Sequence, residues 1–187
     1  MKIISFYNSD STLIKRAAKS DRQAQQAIYD KYAPRMLSVC RQYIQDLQFA
    51  EDVMIGGFVK VFSHLSNFEN RGSFEGWIRK IMVRESISYL RKKQFVVFDE
   101  EIYENNASTS FSINEEFDVE SIQRLIDKLP EGYKMVFVLY AVEGYKHTEI
   151  AEMLKISEST SKTQLFKARK MLQDKLKKEN ILSYGTR

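Results

Sequence analysis

The side chains best suited to chemistry lie in one stretch, His147–Lys170, which reads HTEIAEMLKISESTSKTQLFKARK. Ser157 can cap a helix that starts there, because a hydroxyl accepts the unpaired amide protons of a first turn. The residues predicted to face outward from that helix are all hydrogen-bonding types: Ser159, Thr160, Lys162, Thr163, Gln164 and Lys167. Gln pairs with adenine, Lys with guanine or phosphate, and hydroxyls with either. This pattern favours the reading of duplex DNA.

Apolar residues in the same stretch indicate how that helix is held. They are Ile150 and Leu154 on a first short helix, and Leu165, Ala168 and Leu172 on the second. The spacing predicts a helix-turn-helix, whose second helix enters the major groove. The alternative is an ordinary two-helix corner with a polar second helix. Eight basic and two acidic residues over 155–178 favour the DNA-binding interpretation.

A second basic surface is predicted on a helix over 73–93. At about 100° per residue, Lys80, Arg84 and Arg91 fall within an arc of roughly 40°. Phe74 and Trp77 lie on the adjoining part of the helix and are expected to be mostly core. The basic set is either an ordinary solvated face or a track for a phosphate backbone. An aromatic ring partly exposed beside it would suit stacking on unpaired bases.

The sequence gives little support for an enzymatic function. His64 and His147 fall in different predicted domains, and neither stands at metal-ligand spacing from a suitable partner. Cys40 lies among apolar residues, which is typical of a buried small side chain. The Gly56-Gly57 pair lacks the rest of a phosphate-binding loop. We therefore predict that the protein is not an enzyme, with no catalytic residue, no metal site and no cofactor.

Length and composition narrow the class of protein. The 187 residues include 29 basic and 25 acidic side chains, for a net charge of +4, and 43% are hydrophobic. This size predicts one domain or two small ones, and a single cysteine fits a reducing compartment. The longest apolar run, Met135–Val142, is far shorter than the roughly 20 residues that span a bilayer, and the amino terminus does not resemble a signal peptide. We expect a cytoplasmic protein without membrane insertion.

The charge is divided unevenly along the chain. Residues 1–94 carry a net charge of +7, residues 95–121 carry −8 without any Lys or Arg, and residues 122–187 carry +5. Two basic bodies joined by an acidic strap indicate binding to a polyanion; the alternative for the strap is a solvated linker. We predict domains at 1–94 and 119–187, joined by an acidic flexible linker at 95–118.

Nearly all of the rest is predicted to be helical, so the expected fold is all-α, two small helical domains. The predicted helices cover 12–32, 34–44, 52–65, 73–93, 119–129, 130–142, 148–154 and 157–178. Pro34 is expected to break the first two helices apart, since proline suits the first turn of a new helix. Phe95–Phe98 is strand-like but too short to predict a strand.

Two sets of motifs, in order and spacing, resemble the extracytoplasmic-function sigma factors of the sigma-70 family. Their second conserved region is similar to Ala50–Val53, Phe58–Phe62, Phe74–Ile81 and Tyr89–Lys92. Their fourth region is similar to Leu129–Glu131, Glu149–Glu152 and Lys167–Lys170. The resemblance covers about residues 12–94 and 119–178.

The resemblance implies a promoter-specificity subunit of bacterial RNA polymerase. Its implied partners are core polymerase, through the beta-prime clamp and beta flap, promoter DNA and an anti-sigma factor. The implied minus-thirty-five contacts on the helix-turn-helix are Ser159, Thr160, Lys162, Thr163, Gln164, Lys167 and Arg169. The implied minus-ten contacts, to a single strand, are Asn67, Asn70, Arg71, Ser73, Trp77, Lys80, Arg84 and Arg91. The implied core-polymerase contacts are Asp52, Phe58, Val59 and Phe62.

Several positions depart from the family pattern. Ile55–Gly57 stands where polar residues are usual, and each glycine costs a helix interior up to about 1 kcal/mol, so either the clamp contact is locally altered or the helix is loosened there. Lys155 replaces a turn glycine and would be strained at positive φ. Lys146 replaces a capping hydroxyl, and Ser161 replaces an apolar residue.

Two other functions are weighed against a sigma factor. A two-domain helix-turn-helix transcription regulator would bind duplex DNA independently of core polymerase, usually as a symmetric dimer. The basic face beside Trp77 argues against it, because a sensor domain needs no such face. A protein-binding helical adaptor is disfavoured by the charge of +5 over residues 122–187.

Overall fold

The computed structural model describes residues 10–69, 71–92 and 119–178. Within these ranges the chain forms helices and no strand, in agreement with the all-α prediction. The α-helices are α1 (Asp10–Ala17), α2 (Arg22–Tyr43), α3 (Leu47–Ser63), α4 (Phe74–Lys92), α5 (Val119–Asp127), α6 (Glu131–Phe137), α7 (His147–Leu154) and α8 (Glu158–Lys178). A 3-10 turn at Leu65–Asn67 follows α3, and a π-helical turn at Val138–Val142 extends α6.

The chain divides into two compact units, with the division at Tyr89 near the end of α4. The predicted acidic linker at 95–118 and the strand-like run Phe95–Phe98 lie outside the described residues. No helix in the described ranges is long and apolar enough to span a lipid bilayer.

Side chains cap the helices of the first unit. Asp21 accepts the amide protons of Gln23 and Ala24 at 3.0 and 3.2 Å at the start of α2. Asp46 and Ser73 have the same role at α3 and α4. Each cap satisfies backbone donors that have no partner within the helix, which fixes where the helix begins.

The prediction of a helix break at Pro34 is wrong. Helix α2 runs continuously through Pro34, and the chain instead turns between α1 and α2, where Ser20 adopts a φ of 62°. Proline in a helix interior removes one backbone hydrogen bond. Pro34 itself is exposed, and burial of its neighbours in the chain compensates, because Tyr32, Ala33 and Met36 all pack into the core.

Helix α3 also continues through its glycine pair, so of the two alternatives for this segment the loosened helix is not observed. A methyl group at Gly57 would overlap the Met82 sulfur of α4, and Met82 is fully buried. Gly57 therefore permits α3 and α4 to pack closely. Gly56 faces open space, with nothing near the position of an added methyl group.

The second unit has its own core, to which α5, α6, α7 and α8 all contribute. Its buried apolar side chains include Met135, Val136, Leu139, Ile150, Leu154 and Ala168. Lys134 is buried with them and donates to Asp127 at 2.6 Å, which joins α6 to α5. Burial raises the pKa of neighbouring Glu131, an effect that Lys134 opposes.

A polar contact joins α7 to α8 inside this unit. Ser161 is fully buried, and its hydroxyl lies 2.9 Å from His147 Nδ1. The His147 ring stacks on Tyr140, with centroids 4.6 Å apart. The pKa of His147 is lowered, chiefly because burial disfavours the imidazolium and also because Lys162 and Arg169 repel it, while Glu158 acts in the opposite direction.

The two glycines of α3 should respond oppositely to alanine. Gly56→Ala should raise the free energy of unfolding by up to about 1 kcal/mol, because alanine favours the helix and meets no neighbour. Gly57→Ala should lower it by about 1–3 kcal/mol, because the buried Met82 side chain must move. Urea denaturation of the full chain measures the free energy of unfolding of each variant. Equal values for the two variants would contradict the close approach of α3 and α4 at Gly57.

The stability of the second unit should fall as pH decreases below about 6.5, the ordinary pKa of histidine. The pKa of His147 is lower in the folded chain than in the unfolded chain. As the pH falls, the imidazole is therefore protonated in the unfolded chain first, and this protonation stabilises the unfolded state relative to the folded one. The loss should level off below the folded pKa. Hydrogen-exchange protection of α7 and α8 amides, compared at pH 7.5 and 5.5, reports the change. His147→Gln should flatten this dependence; an unchanged slope in the variant would assign the effect to other groups.

Candidate nucleic-acid interface

The start of α8 is set by a left-handed turn and a serine cap. Lys155 adopts φ 58° and ψ 42°, the left-handed conformation in which a residue other than glycine is strained. Ser157 then accepts the Thr160 amide proton at 3.0 Å, and its hydroxyl also contacts those of Ser159 and Thr160. The first turn of α8 thus presents a group of small hydroxyl side chains.

The exposed side chains on the outer face of α8 are Ser159, Lys162, Thr163, Phe166, Arg169 and Lys170. Thr160 and Lys167, which were also predicted as contacts, are partly exposed beside it. The opposite side of the helix packs into the core through Leu165 and Ala168. This arrangement leaves one polar, basic helix face accessible to the major groove, which is wide enough to admit an α-helix.

The prediction that Gln164 faces outward is wrong. Only 7% of the residue is exposed, and its side-chain amide lies beside Gly132, about where a methyl group on that glycine would meet it. The small size of Gly132 gives space for the amide. Polarity alone suggested an outer position, but Gln164 shares its side of α8 with the buried Ser161.

The cations of α8 are held by nearby groups. Lys162 pairs with Glu158 one turn earlier at 2.6 Å. The Lys167 ammonium lies 5.9 Å from the centre of the Tyr133 ring, and the Arg169 guanidinium lies 5.5 Å from that of Tyr140. Exposed contacts of this kind contribute little stability, so a phosphate or a base can take the place of the present partner of each cation.

In the first unit, three aromatic rings pack where the 3-10 turn meets α4. Phe68 contacts Phe74 and Trp77 with centroids 5.0 and 5.5 Å apart. Phe74 and Trp77 stack at 5.9 Å, and Tyr32 of α2 meets Phe74 edge-on. We call Phe68, Phe74 and Trp77 the aromatic cluster. Its Trp77 ring remains partly exposed.

The basic stripe, defined as Lys80, Arg84 and Arg91, is exposed along α4. Helical geometry puts Trp77 about 20° from Arg84 in projection, so a partly exposed ring borders the stripe, as the sequence analysis required for stacking. The stripe and ring together form a cationic, aromatic surface of the type that holds unpaired bases.

The other predicted minus-ten residues lie in the segment before α4. Asn67, Arg71 and Ser73 are exposed. Arg71 pairs with Glu69 at 3.1 Å, whereas Ser73 uses its hydroxyl to cap α4. Asn70 lies outside the described residues.

The outer surface of α3 contains the predicted polymerase contacts Asp52 and Val59, both exposed, and Phe62, which is partly exposed. Phe58 differs: it is 2% exposed, and its ring packs against those of Tyr29 and Phe62. It therefore supports α3 from inside and is not available for a surface contact. Tyr29 of α2 covers this side of α3, while Val59 remains exposed.

Two exposed residues were missed by the sequence analysis. Ile55 is 51% exposed on the outer surface of α3, and Phe166 is 69% exposed on the outer face of α8. The sequence did contain a signal for both, because each is an apolar residue at a helical position that should face solvent. Polarity was the criterion for an outer position, and it does not select apolar residues.

Cys40 is buried, and burial raises the pKa of its thiol to about 11. Among the described residues no group of three or more His, Cys, Asp or Glu side chains is arranged to hold a metal ion.

Comparison with known families matches both units of the chain. Residues 28–96 match the family described as sigma-70 region 2, and residues 119–172 match sigma-70 region 4. These ranges contain α3 and α4 in the first unit and α5–α7 with most of α8 in the second.

Individual relatives agree with these matches. The chain is 30% identical over 140 residues to the RNA polymerase sigma factor SigV of Bacillus subtilis, covering 74% of this chain and 82% of SigV. It is 27% identical over 177 residues to the ECF RNA polymerase sigma factor SigW of the same organism, covering 88% and 95%. The fold is similar to that of the sigma factor RpoE in a co-crystal structure with the anti-sigma factor NepR from Bartonella quintana, at a TM-score of 0.53, 18% identity and coverage of 81% and 96%. The chain belongs to the extracytoplasmic-function sigma factors of the sigma-70 family, which bind core RNA polymerase and direct it to promoters.

Proposed function

We propose that the two units of this sigma factor divide promoter recognition, with α8 reading the minus-thirty-five element as duplex and α4 holding the unpaired minus-ten strand. The observation that carries this proposal is the outer face of α8. Its Ser159, Lys162 and Thr163 side chains are exposed on a helix whose other side is buried. A rigidly held helix with base-reading side chains in its first turns is what major-groove recognition requires.

In this proposal the side chains of α8 have different tasks. Ser159, Thr160 and Thr163 lie in the first two turns, where a recognition helix meets base edges. Lys162 can leave Glu158 to reach guanine or phosphate, since their exposed ion pair is weak. Lys167 and Arg169 lie further along and suit phosphates.

The proposed minus-ten surface combines the aromatic cluster with the basic stripe. Unpaired bases stack on aromatic rings, while cations follow the phosphates. Trp77 offers its exposed portion for stacking, and its Phe74 and Phe68 neighbours fix the ring in place. Asn67 and Arg71 are exposed just before α4 and complete the surface in this proposal.

We propose the outer surface of α3 as the contact with the polymerase clamp. Asp52, Ile55 and Val59 lie within roughly 60° of one another around the helix and are all exposed. Gly56 leaves open space beside them. A charge next to flat apolar surface suits a protein partner, because interfaces combine an apolar centre with a polar rim.

The remaining assignments also belong to this proposal. The domain limits are 1–94 and 119–187 with an acidic linker between them, and the beta flap would meet the second unit. The protein would act in the cytoplasm with polymerase, without catalysis of its own. RpoE of Bartonella quintana was crystallised with an anti-sigma factor, and we propose that a partner of this class also regulates the present chain.

Removal of Lys162 should change which upstream sequences are transcribed. Lys162→Ala should reduce discrimination at one or two base pairs by about 1–3 kcal/mol, because a base contact is lost. Run-off transcription with core polymerase and a library of upstream regions gives the preference. Lys128→Ala is the matched control, an exposed lysine of the same unit outside α8. If no promoter-specific transcripts appear and the protein alone binds duplex DNA tightly, the result would favour the dimeric regulator.

Removal of Arg84 should weaken promoter opening more than duplex binding. Arg84→Ala should reduce the yield of open complex about fivefold, the effect of about 1 kcal/mol for one solvent-accessible ionic contact. Permanganate reactivity of unpaired thymines measures opening, and filter binding at low temperature measures the closed complex. Lys92→Ala is the control, because Lys92 is exposed on the same helix outside the stripe. Equal losses in both assays would contradict the proposed division of tasks.

A further inference from the structure

Tyr32 occupies a buried position on α2, between α1 and the aromatic cluster. Only 5% of the residue is exposed, and its ring meets that of Phe74 at an interplanar angle of 79°, with centroids 5.5 Å apart. Phe74 is itself buried and lies nearly parallel to Trp77, at an angle of 16°. Tyr32 therefore reaches the partly exposed Trp77 ring through Phe74.

The hydroxyl group of Tyr32 ties α2 to the start of α1. It donates to Asp10 Oδ2 at 3.1 Å, and the Lys31 ammonium donates to Oδ1 of the same carboxylate. The bond from Lys31 is the main reason that the pKa of Asp10 is lowered; the bond from Tyr32 acts in the same direction, and burial opposes them. Asp10 is thus an ionised acceptor at neutral pH, and hydrogen bonds to an ionised acceptor are stronger than those to a neutral one.

The hydroxyl gives Tyr32 a property that space filling alone does not require. Phenylalanine would fill the same volume without a polar atom to satisfy. Because both oxygens of Asp10 accept hydrogen bonds, the carboxylate resists rotation, and the directional bond then fixes the Tyr32 ring. Aromatic pairs depend on the relative orientation of the two rings, so a fixed Tyr32 ring also restrains Phe74 and, through it, Trp77.

Arg35 of α2 also contacts the first turn of α4, where its guanidinium lies 2.7 Å from the Glu75 carboxylate. The Arg35 side chain is mostly exposed, and an exposed ion pair contributes little because water competes for both groups. The contact between Tyr32 and Phe74 is buried on both sides. Tyr32 is therefore the firmer of these two contacts between α2 and the start of α4.

We propose that Tyr32 is a positioning residue for promoter opening, which holds Trp77 in the orientation that receives an unpaired base through its contacts with Asp10 and Phe74. This inference rests on the proposed minus-ten surface. Tyr32 itself contacts no nucleic acid and acts only through the ring next to it. Loss of its hydroxyl should loosen Trp77 while the chain stays folded and still binds duplex promoter DNA.

Trp77 is the single tryptophan of the chain, so its fluorescence reports on the aromatic cluster. Tyr32→Phe keeps the ring and removes the hydroxyl. In the free chain it should increase the quenching of Trp77 by acrylamide. In holoenzyme it should reduce the yield of open complex about three- to tenfold, the range expected for one hydrogen bond, with closed-complex affinity unchanged.

A double variant tests whether Asp10 and Tyr32 act together. Asp10→Ala should change quenching and opening in the same direction as Tyr32→Phe. Combining the two substitutions should add little to either one, because both remove the same contact. Fully additive effects on opening would contradict the proposed link between α1 and the aromatic cluster.

Tyr29→Phe is the matched control, because Tyr29 lies on the same helix with its ring against Phe58. It should leave both quenching and opening unchanged. If Tyr32→Phe lowers the free energy of unfolding in urea but changes neither quenching nor opening, its role is structural and the inference is overturned. If Trp77→Ala impairs opening and Tyr32→Phe does not, only the inference about Tyr32 has failed; if Trp77→Ala does not impair opening, the proposed minus-ten surface fails with it.

Discussion

Lys155 turns the chain through a left-handed conformation between α7 and α8, and the direction of every outer side chain of α8 follows from that turn. A residue with a Cβ atom pays about 1–2 kcal/mol for this conformation. Packing on both sides of the turn compensates, because Ile150 and Leu154 of α7 meet Leu165 and Ala168 of α8 in one core. The strained turn is therefore stable only as part of the assembled unit.

Polar contacts then determine the position of α8 more narrowly than apolar packing does alone. The Ser161 hydroxyl is buried against His147, which stacks on Tyr140, and the Arg169 guanidinium lies 5.5 Å from the centre of the same tyrosine ring. Hydrogen bonds are directional, so this arrangement limits rotation of α8 about its axis. A base-reading helix needs such control, because a small rotation would move its side chains to other base edges.

The first unit uses aromatic and glycine packing for a comparable purpose. The aromatic cluster anchors the start of α4, and Gly57 lets α3 approach the middle of that helix. With α4 held at both places, the basic stripe and the exposed part of Trp77 form one continuous surface. The family's two regions thus share a design, in which a helix is buried on one side and presents cations on the other.

The sequence by itself determined the all-α class, the Ser157 cap of α8 and the family, because these depend on local chemistry and on motif order. Tertiary structure decided that α2 passes through Pro34, that Phe58 and Gln164 are buried and that Phe166 is exposed. Helical periodicity shows which residues share a side of a helix. Burial depends instead on the neighbouring helix that covers that side, and residues far apart in the chain, such as Gly132 beside Gln164 and Met82 beside Gly57, supply that cover.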